Sequence, residues 1–373
     1  MSDDQLPEPD RIDGAPHPSE TMQIYGQDAA QASFLDAYTQ GRLHHAWLIT
    51  GPKGVGKATL AWRIARFLLA TPDADAGGLF GDAPIQPETL DVSPDHPVAR
   101  RMQAGSAGGL FVLRRGHDEK TKRLRSVITV DEVRKLKNFF ALSATDGGRR
   151  VVIVDAVDEM NASAANALLK VLEEPPAKTT LLLVSHQPSR LLPTVRSRCR
   201  ELRLPKLGPE DMALALQGVG QALPDDSSGL VVLAEGSVGE AVRLVNLDGM
   251  KLYRALLGVL KTMPKFDRQQ AIALAETATG RGSEERRALL FTLIDVVMAR
   301  ISRAGVVNND GHEVIAGEYE LFKRLCPDAS TARKWATTAQ AISERNQHGL
   351  AVNLDPAALI LDTVFKIQQT VEG

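Results

Sequence analysis

Cysteine is scarce in this chain of 373 residues, and its scarcity excludes two kinds of site. The two cysteines, Cys199 and Cys326, lie far apart and form no C-x-x-C pair. Neither a disulfide framework nor a four-cysteine zinc site can therefore be built. We expect two free thiols in a reducing cytoplasm, and we expect no zinc.

Long apolar runs and an excess of one charge are also missing. No stretch of 18 or more apolar residues occurs, so we expect no membrane-spanning helix. Lys and Arg number 44 against 46 Asp and Glu, so any contact with nucleic acid has to be local or shared with partners. Residues 1–21 are acidic, contain prolines and lack the layout of a signal peptide, and we expect a disordered tail there.

Strand and helix patterns alternate between residues 22 and 205. Three near-continuous apolar runs predict buried parallel strands at 46–50, 151–155 and 181–185. Apolar residues at helical spacing predict helices around 60–68, 131–142 and 165–172. This order predicts an α/β domain whose parallel sheet is covered by helices on both sides. Residues 71–110, rich in Gly, Pro, Asp and Ala, are predicted to be an insertion or long loop.

The strand signal fades after residue 205, and the remaining chain is predicted to be all-α. Residues 206–248 read as a few short helices, and residues 249–373 are helical throughout. One predicted helix carries a stripe formed by Leu289, Leu293, Val296 and Val297. Pro356 is expected to open the final helix.

The segment from Gly51 to Ala58 matches the phosphate-loop pattern G-x-x-x-x-G-K-[ST] except at its last position. In this pattern the loop N–H groups and the lysine, Lys57 in this chain, bind phosphates, while the final hydroxyl holds Mg²⁺. Ala58 has no oxygen for a metal. The sequence therefore predicts weak or structural binding of ATP or ADP and no resident metal. The candidate nucleotide-binding residues are Gly51, Lys53, Gly54, Gly56, Lys57, Ala58, Thr59, Asp155 and Ser185.

Two further strand ends carry residues of interest. Asp155 ends the second predicted strand, which we expect to lie beside the strand of the loop, where such an acid holds Mg²⁺ through water. A hydrolase usually has glutamate next, but Ala156 follows here, and Glu159 is the alternative base. Asp155 can also be a simple strand-end acid. Ser185 and His186 end the third strand, either to sense a γ-phosphate or as a solvated turn.

A basic cluster surrounds Arg198, in the run Arg196 to Arg200. Such clusters are usually solvated, but an arginine can also contact the phosphates of a nucleotide on a neighbouring subunit. Spacing alone leaves both readings open. Further basic residues, which either contact DNA phosphates or form a solvated loop, are Arg114, Arg115, Lys120, Lys122, Arg123 and Arg125.

Together these motifs resemble the clamp-loader family of AAA+ proteins over about residues 22–248. The matching segments are Gly26-Gln27, Gly41 to Ala46, Gly51 to Lys57, Asn166 to Lys170, Leu172 to Pro176 and Ser197-Arg198-Cys199. The resemblance implies an AAA+ P-loop domain over 22–205, a helical lid over 206–248 and a helical collar over 249–373 that packs with sister subunits.

The resemblance also implies a function. Clamp loaders place a sliding clamp on primed DNA, within a DNA-directed DNA polymerase holoenzyme. The expected partners are the gamma/tau and delta sister subunits, the sliding clamp indirectly, and primer-template DNA through the complex, all in the cytoplasm. Arg198 corresponds to the family's arginine that acts in trans on a neighbour's ATP.

Departures from the family pattern sharpen this expectation. Ala58, Ala156 and Gly239 stand where the family has the loop hydroxyl, the hydrolytic glutamate and a second sensing arginine. A chain that lacks all three groups but keeps Arg198 is expected to be a stator, that is, a subunit that supports its neighbours and has no ATPase activity of its own. One alternative is an active motor subunit of the gamma/tau type, in which Thr59 and Glu159 would replace missing groups. The other is a helicase-type AAA+ motor, which needs the hydrolytic glutamate.

Overall fold

A computed structural model describes residues 8–71, 87–142, 148–221, 227–265, 267–280, 282–307 and 313–372. The chain divides into two compact units. The first comprises residues 1–223 with 236–240, and the second comprises 224–235 with 241–373. The predicted lid over 206–248 is thus divided between the two units, and its boundaries stay a prediction.

The first unit is built on a five-stranded sheet in which every described pairing is parallel. Its strands are β1 (Ala46–Thr50), β2 (Leu110–Arg114), β3 (Arg150–Asp155), β4 (Thr179–Ser185) and β5 (Arg200–Arg203). Their order across the sheet is β2-β3-β4-β1-β5. The chain therefore has the predicted α/β class with a parallel sheet.

Seven helices of the first unit connect or cover these strands. They are α1 (Asp28–Thr39), α2 (Lys57–Ala70), α3 (Pro97–Gln103), α4 (Val130–Leu142), α5 (Ala162–Glu173), α6 (Pro193–Arg196) and α7 (Pro209–Gly218). The predicted helices correspond to α2, α4 and α5 and are confirmed. They form because apolar residues repeat at helical spacing and face the sheet.

The position of β4 corrects one expectation about the sheet. We expected the strand of Asp155 to lie beside the strand of the loop, but β4 separates β3 from β1. Thr50 pairs with Ser185 at the ends of β1 and β4, and Arg114 pairs with Asp155 at the ends of β2 and β3. The carboxyl ends of four strands therefore meet at one edge, although their order differs from the expected one.

The core of this unit lies between the sheet and the helices α4 and α5. Leu48, Val152 and Leu183 from the strands pack with Leu136 of α4 and Leu168 of α5, and all are at most 3% exposed. Continuous apolar strands are required here because a parallel sheet covered on both faces exposes neither side to water. The burial of these side chains is the main source of stability for the unit.

Two segments for which we expected no regular structure, a loop and a tail, are partly ordered. Within residues 71–110, α3 forms behind the N-cap of His96 and buries Val98, Ala99 and Met102, so this part is not a loop. Residues 72–86 lie outside the described residues. We also expected a disordered tail over 1–21, but residues 8–21 form turns and ion pairs. Residues 1–7 lie outside the described part of the chain.

The second unit is helical, as predicted. It contains α8 (Ser227–Ala234), most of α9 (Val238–Asn246), α10 (Gly249–Lys261), α11 (Arg268–Glu276), α12 (Glu284–Ala304), α13 (Glu318–Leu325), α14 (Ala329–Ala351) and α15 (Pro356–Glu372). The predicted stripe on α12 is largely buried, with Leu289 and Leu293 at 0% and 1% exposure. The final helix begins at Pro356, where a missing N–H costs nothing.

Both cysteines are free thiols, as expected. Burial raises the pKa of the Cys199 thiol to about 12, which keeps it protonated at neutral pH. No helix in the described ranges is both long enough and apolar enough to cross a bilayer.

The first prediction concerns the sheet core. Replacing Leu183, which is 0% exposed in the central strand β4, with alanine should lower the free energy of unfolding by about 3 kcal/mol, because a cavity remains in a packed core. The matched control is Leu214→Ala on α7, where the side chain is 49% exposed and the loss should stay within about 0.5 kcal/mol. Urea unfolding of both variants measures the difference, and equal losses would contradict this description of the core.

Candidate nucleotide-binding site

The glycine loop between β1 and α2 has a backbone that only glycine adopts easily. Gly51, Gly54 and Gly56 have φ angles of 142°, 78° and 96°. A Cβ atom on Gly51 would lie 2.3 Å from the carbonyl oxygen of Leu204, and one on Gly54 would lie 2.3 Å from Ser237 Oγ. Conformation and close packing therefore both require glycine at these two positions, and the loop has the strand-loop-helix setting of a phosphate site.

Lys57 is the first residue of α2 and is only 3% exposed. Its ammonium donates to the carbonyl oxygen of Gly51 at 2.8 Å and also to that of Pro52. Burial lowers the pKa of Lys57 to about 8, while the carboxylates of Asp155 and Asp158 oppose this shift. The side chain stays mostly protonated at pH 7. Together with the N-terminus of α2, it supplies the positive charge that phosphate oxygens need.

The next positions of the loop do not complete a metal site. Ala58 offers no oxygen, and Thr59 lies one residue further along α2, about 100° around the helix axis. Among the described residues, no group of three or more His, Cys, Asp or Glu side chains is placed to hold a metal ion. The residues present therefore fit the phosphates of a nucleotide better than they fit its Mg²⁺.

Asp155 ends β3 in a setting that disfavours its negative charge. Withdrawal from water raises the pKa of Asp155 to about 7, and the neighbouring carboxylates of Asp10 and Glu159 raise it further, against an opposing effect of Lys57. A carboxyl group with this pKa is about half protonated at neutral pH. It is a poor metal ligand there, because ligation requires the ionised form.

Glu159, the alternative base, is already engaged. Its Oε2 atom forms an ion pair with Arg115 Nε at 2.8 Å. Burial raises the pKa of Glu159, although Arg115 and Lys53 oppose that rise. To act as a base toward water at the glycine loop, Glu159 would first have to leave this ion pair.

The end of β4 is tied to the turn after β3. Asp158 Oδ1 accepts the backbone N–H of His186 at 2.9 Å. Burial lowers the pKa of His186 to about 4, and the positive charges of Lys57 and Lys53 add to this effect, so the imidazole is neutral at pH 7. Ser185 is 0% exposed, and its hydroxyl has no hydrogen-bond partner among the described residues. A buried hydroxyl at this edge is suited to bind a polar ligand group.

A short segment at the start of α9, residues 236–240, lies directly on the glycine loop. Ser237 Oγ donates to the carbonyl oxygen of Lys53 at 2.9 Å, and the N–H of Gly239 donates to the carbonyl oxygen of Gly54 at 3.1 Å. A Cβ atom on Gly239 would lie 3.0 Å from Gly54 Cα and 2.9 Å from Ile12 Cδ1. The family's arginine at position 239 would therefore need this segment to move away from the loop.

Arg198 lies at the surface after α6 and is held by two contacts. Its Nη2 atom forms an ion pair with Glu173 Oε1 at 2.8 Å, and Nη1 donates to the carbonyl oxygen of Thr194 at 3.0 Å. The side chain remains 36% exposed. Glu173 is the last residue of α5, so the helix that carries the family's hallmark motif also orients this guanidinium.

The comparisons with known proteins agree with this geometry. A family model described as DNA polymerase III, delta subunit, matches residues 26–208. DNA polymerase III subunit delta' of Pseudomonas aeruginosa is 38% identical over 62% of this chain and 65% of its own length. The Escherichia coli subunit of the same name is 29% identical over 90% of this chain and 92% of its own length. This chain is thus similar to delta' subunits of DNA polymerase III.

A gamma/tau subunit matches a smaller share of this chain than either delta' subunit. The gamma/tau subunit of DNA polymerase III from Mycobacterium bovis is 29% identical over 59% of this chain and 35% of its own length. The chain is therefore also similar to a subunit of a different name. Of these three relatives, the Escherichia coli delta' subunit matches the largest share of this chain, 90%.

Several residues at the site were not predicted from sequence. Arg115 and Glu173 matter because they hold Glu159 and Arg198, and charged residues give no local sign of their partners. Ser237 belongs to a motif that the sequence did indicate, but its contact with the loop was not foreseen. Asp10 lies in a segment whose composition suggested disorder.

The second prediction concerns Asp155 and pH. Its pKa is about 7 in the folded chain against an ordinary value of 3.8, so the folded state binds more protons between these values and the free energy of unfolding falls as pH rises through that window. Asp155→Asn removes this pH-dependent contribution to the free energy of unfolding. The variant should gain roughly 2–4 kcal/mol over the natural chain at pH 8 relative to pH 4.

Urea unfolding at pH 4, 6 and 8 measures this difference. Asp36→Asn, at an exposed position on α1, is the control and should leave the pH profile unchanged. A constant difference between Asp155→Asn and the natural chain at all three pH values would contradict the raised pKa.

Proposed function

We propose that this chain is the stator-like subunit of the bacterial DNA polymerase III clamp loader. In this role Arg198 contacts the ATP bound to a neighbouring subunit, and the chain has no independent ATPase activity. The observation that carries the proposal is a contrast. Arg198 is oriented by Glu173 at 2.8 Å, whereas Ala58 leaves the chain's own phosphate loop without a metal ligand.

Arginine suits the proposed role for a physical reason. Its planar guanidinium carries a permanent charge and five N–H donors, which match the oxygens of a transferring phosphoryl group. A guanidinium that is already oriented loses less side-chain entropy when it meets that group. Its ion pair with Glu173 is solvent-exposed and therefore weak, so exchange for a phosphate costs little.

The proposed assembly follows from the family. The partners are the gamma/tau and delta subunits, and the sliding clamp and primer-template DNA are reached through the complex in the cytoplasm. Residues 249–373 act as the collar that packs with sister subunits. Among the basic residues considered for DNA contact, Arg114 and Arg115 are engaged in ion pairs, while Lys120, Lys122 and Arg123 are exposed.

The chain's own pocket has a structural role in this proposal. ATP or ADP would be held by Lys57 and the N–H groups of residues 51–56, and the bound phosphates would supply negative charge that fixes the loop. Lys53 is exposed on the loop, and Ser185 is buried at the sheet edge. Asp155, about half protonated at neutral pH, and Glu159, engaged in its ion pair, are both poor bases toward water.

The third prediction tests the arginine directly. Arg198→Ala, in a clamp loader reconstituted with gamma/tau and delta, should slow ATP hydrolysis at one neighbouring site by about 10³-fold or more, while assembly is unchanged. Arg198→Lys should behave similarly, because an ammonium lacks the planar fork. Single-turnover hydrolysis in the presence of clamp and primed DNA is the measurement.

Arg196→Ala is the matched control, because it removes an exposed arginine two residues away. It should leave single-turnover hydrolysis at its normal rate. The proposal fails if Arg198→Ala also retains that rate within a normally assembled complex.

A motor subunit of the gamma/tau type is the second candidate, and the similarity to gamma/tau subunits favours it. It requires Thr59 to reach the metal and Glu159 to serve as base. The ion pair between Glu159 and Arg115, at 2.8 Å, opposes this reading. The two candidates differ in whether the isolated chain hydrolyses ATP.

The fourth prediction separates them. Ala58→Thr restores the hydroxyl of the loop pattern, yet we expect ATP turnover by the isolated chain to stay at the background of Lys57→Ala, because the base and the second arginine are still missing. Steady-state phosphate release measures it. Turnover that appears in Ala58→Thr and disappears when Lys57→Ala is added would favour the motor.

A further inference from the structure

The segment of residues 8–21, called here the N-terminal strap, begins at the sheet edge that holds the candidate site. Asp10 is central to it, since its side chain is only 2% exposed. Asp10 Oδ1 pairs with Arg114 Nη1 at 2.5 Å, and Oδ2 pairs with His17 Nε2 at 3.1 Å. Glu8 Oε1 forms a further ion pair with Arg114 Nη2 at 2.9 Å. A buried carboxylate that pairs with an arginine and contacts a histidine marks a specific docking position.

Arg114 places this end of the strap beside the site. It is the last residue of β2 and lies in register with Asp155 at the end of β3. The negative charge of Asp10 also acts on Asp155 and raises its pKa. Residues 8–10 therefore lie at the carboxyl edge of the sheet, next to the acid of the nucleotide site.

The strap then reaches the other side of the glycine loop. Ile12 Cδ1 lies 2.9 Å from the position of a Cβ on Gly239, and Gly239 itself is hydrogen-bonded to Gly54 of the loop. The carbonyl oxygen of Gly14 accepts a hydrogen bond from Gln221 Nε2 at 2.8 Å. Ile12 thus contacts the segment that rests on the loop, and Gly14 is held by Gln221, which follows α7.

The path between these two contacts crosses the phosphate-binding edge. β2, which carries Arg114, lies three strand spacings from β1, about 14 Å. The four steps from Asp10 to Gly14 span at most about 14 Å. The strap therefore has little slack for a detour between the end of β2 and the loop that follows β1, and nucleotides bind at this edge in parallel α/β sheets.

The far end of the strap is anchored on α2. The carbonyl oxygen of Ser19 accepts from Arg66 at 2.8 Å, and that of Met22 accepts from Arg63 at 2.5 Å. His17 packs edge-on against Trp62, with ring centroids 5.7 Å apart. Because both arginines are at most 9% exposed, these contacts fix the strap from residue 17 onward.

We propose that residues 8–14 are an intramolecular cover of the nucleotide pocket, which a nucleoside di- or triphosphate must displace in order to bind. This inference rests on the proposed function, because it assumes that the pocket takes a nucleotide. The cover places the carboxylates of Glu8 and Asp10 at an edge where phosphates would bring further negative charge. If only a fraction of the molecules has an open pocket, the apparent affinity for the nucleotide is the intrinsic affinity multiplied by that fraction.

The test uses the full-length chain and the fluorescent nucleotide mant-ADP in EDTA. The double variant Asp10→Ala and Ile12→Ala removes the side-chain contacts of Asp10 with Arg114 and of Ile12 with Gly239, without altering the glycine loop. Its dissociation constant for mant-ADP should fall about tenfold or more below that of the natural chain. Asp36→Ala, which removes one carboxylate from the exposed face of α1, is the control and should match the natural chain.

An unchanged dissociation constant in a folded double variant overturns the proposal, and so does the absence of mant-ADP binding by both proteins. If the double variant does not fold, a chain lacking residues 1–16 takes its place, and the same tenfold tightening is expected.

Hydrogen exchange in the natural chain gives an independent readout. Saturating ADP should speed amide exchange in residues 8–14 while slowing it in residues 51–57. Faster exchange of the loop alone, or no change in the strap at saturation, contradicts the proposal. Neither measurement depends on Arg198, so failure of the cover leaves the arginine experiment to judge the stator role.

Discussion

In a parallel sheet the carboxyl ends of all strands lie at the same edge, and the rest of this site depends on that constraint. The edge collects Thr50, Arg114, Asp155 and Ser185 from four strands, although up to 135 residues separate them in sequence. The glycine loop leaves from this edge, and Gly51 approaches the Leu204 carbonyl too closely for any side chain. Site and fold are therefore one arrangement, and a change in strand register would dismantle both.

The charges at this edge favour binding of phosphate and disfavour binding of a metal ion. Lys57 keeps its positive charge at neutral pH despite burial. Asp155, by contrast, is raised to a pKa of about 7 among other acids, and Ala58 contributes no ligand. The pocket thus retains the part that attracts phosphate and lacks the part that orients Mg²⁺ and water. Arg198 lies elsewhere on the surface, where its guanidinium is oriented by Glu173.

The sequence was sufficient to predict the elements that have a clear apolar pattern. β1, β3 and β4 are continuous apolar runs, and α2 repeats its apolar residues at helical spacing, so local pattern determines each of them. β5 was not predicted, because Arg200–Arg203 exposes three of its four residues at the sheet edge. The placement of β4 between β1 and β3 is a matter of topology, which no local pattern encodes.

The strap illustrates the same limit at the site. Its acidic, proline-containing sequence suggests disorder, yet its order comes from Arg114, His17 and the arginines of α2, which are up to about 100 residues away. The motifs indicated the glycine loop, which lies between β1 and α2, but the roles of Gly51, Gly54, Lys57 and Asp155 toward a nucleotide stay predictions. Whether Lys53, Thr59 and Ser185 contact a nucleotide, and whether Arg198 acts in trans, stay predictions.

The central claim is that this chain has kept a phosphate site and lost its metal site. Calorimetric titration of ADP into the chain, with Mg²⁺ and with EDTA, tests it most directly. The account predicts dissociation constants that agree within about twofold, because no protein ligand adds to the metal's binding. A tightening of tenfold or more by Mg²⁺, equivalent to about 1.4 kcal/mol, would show an intact metal site and contradict the account.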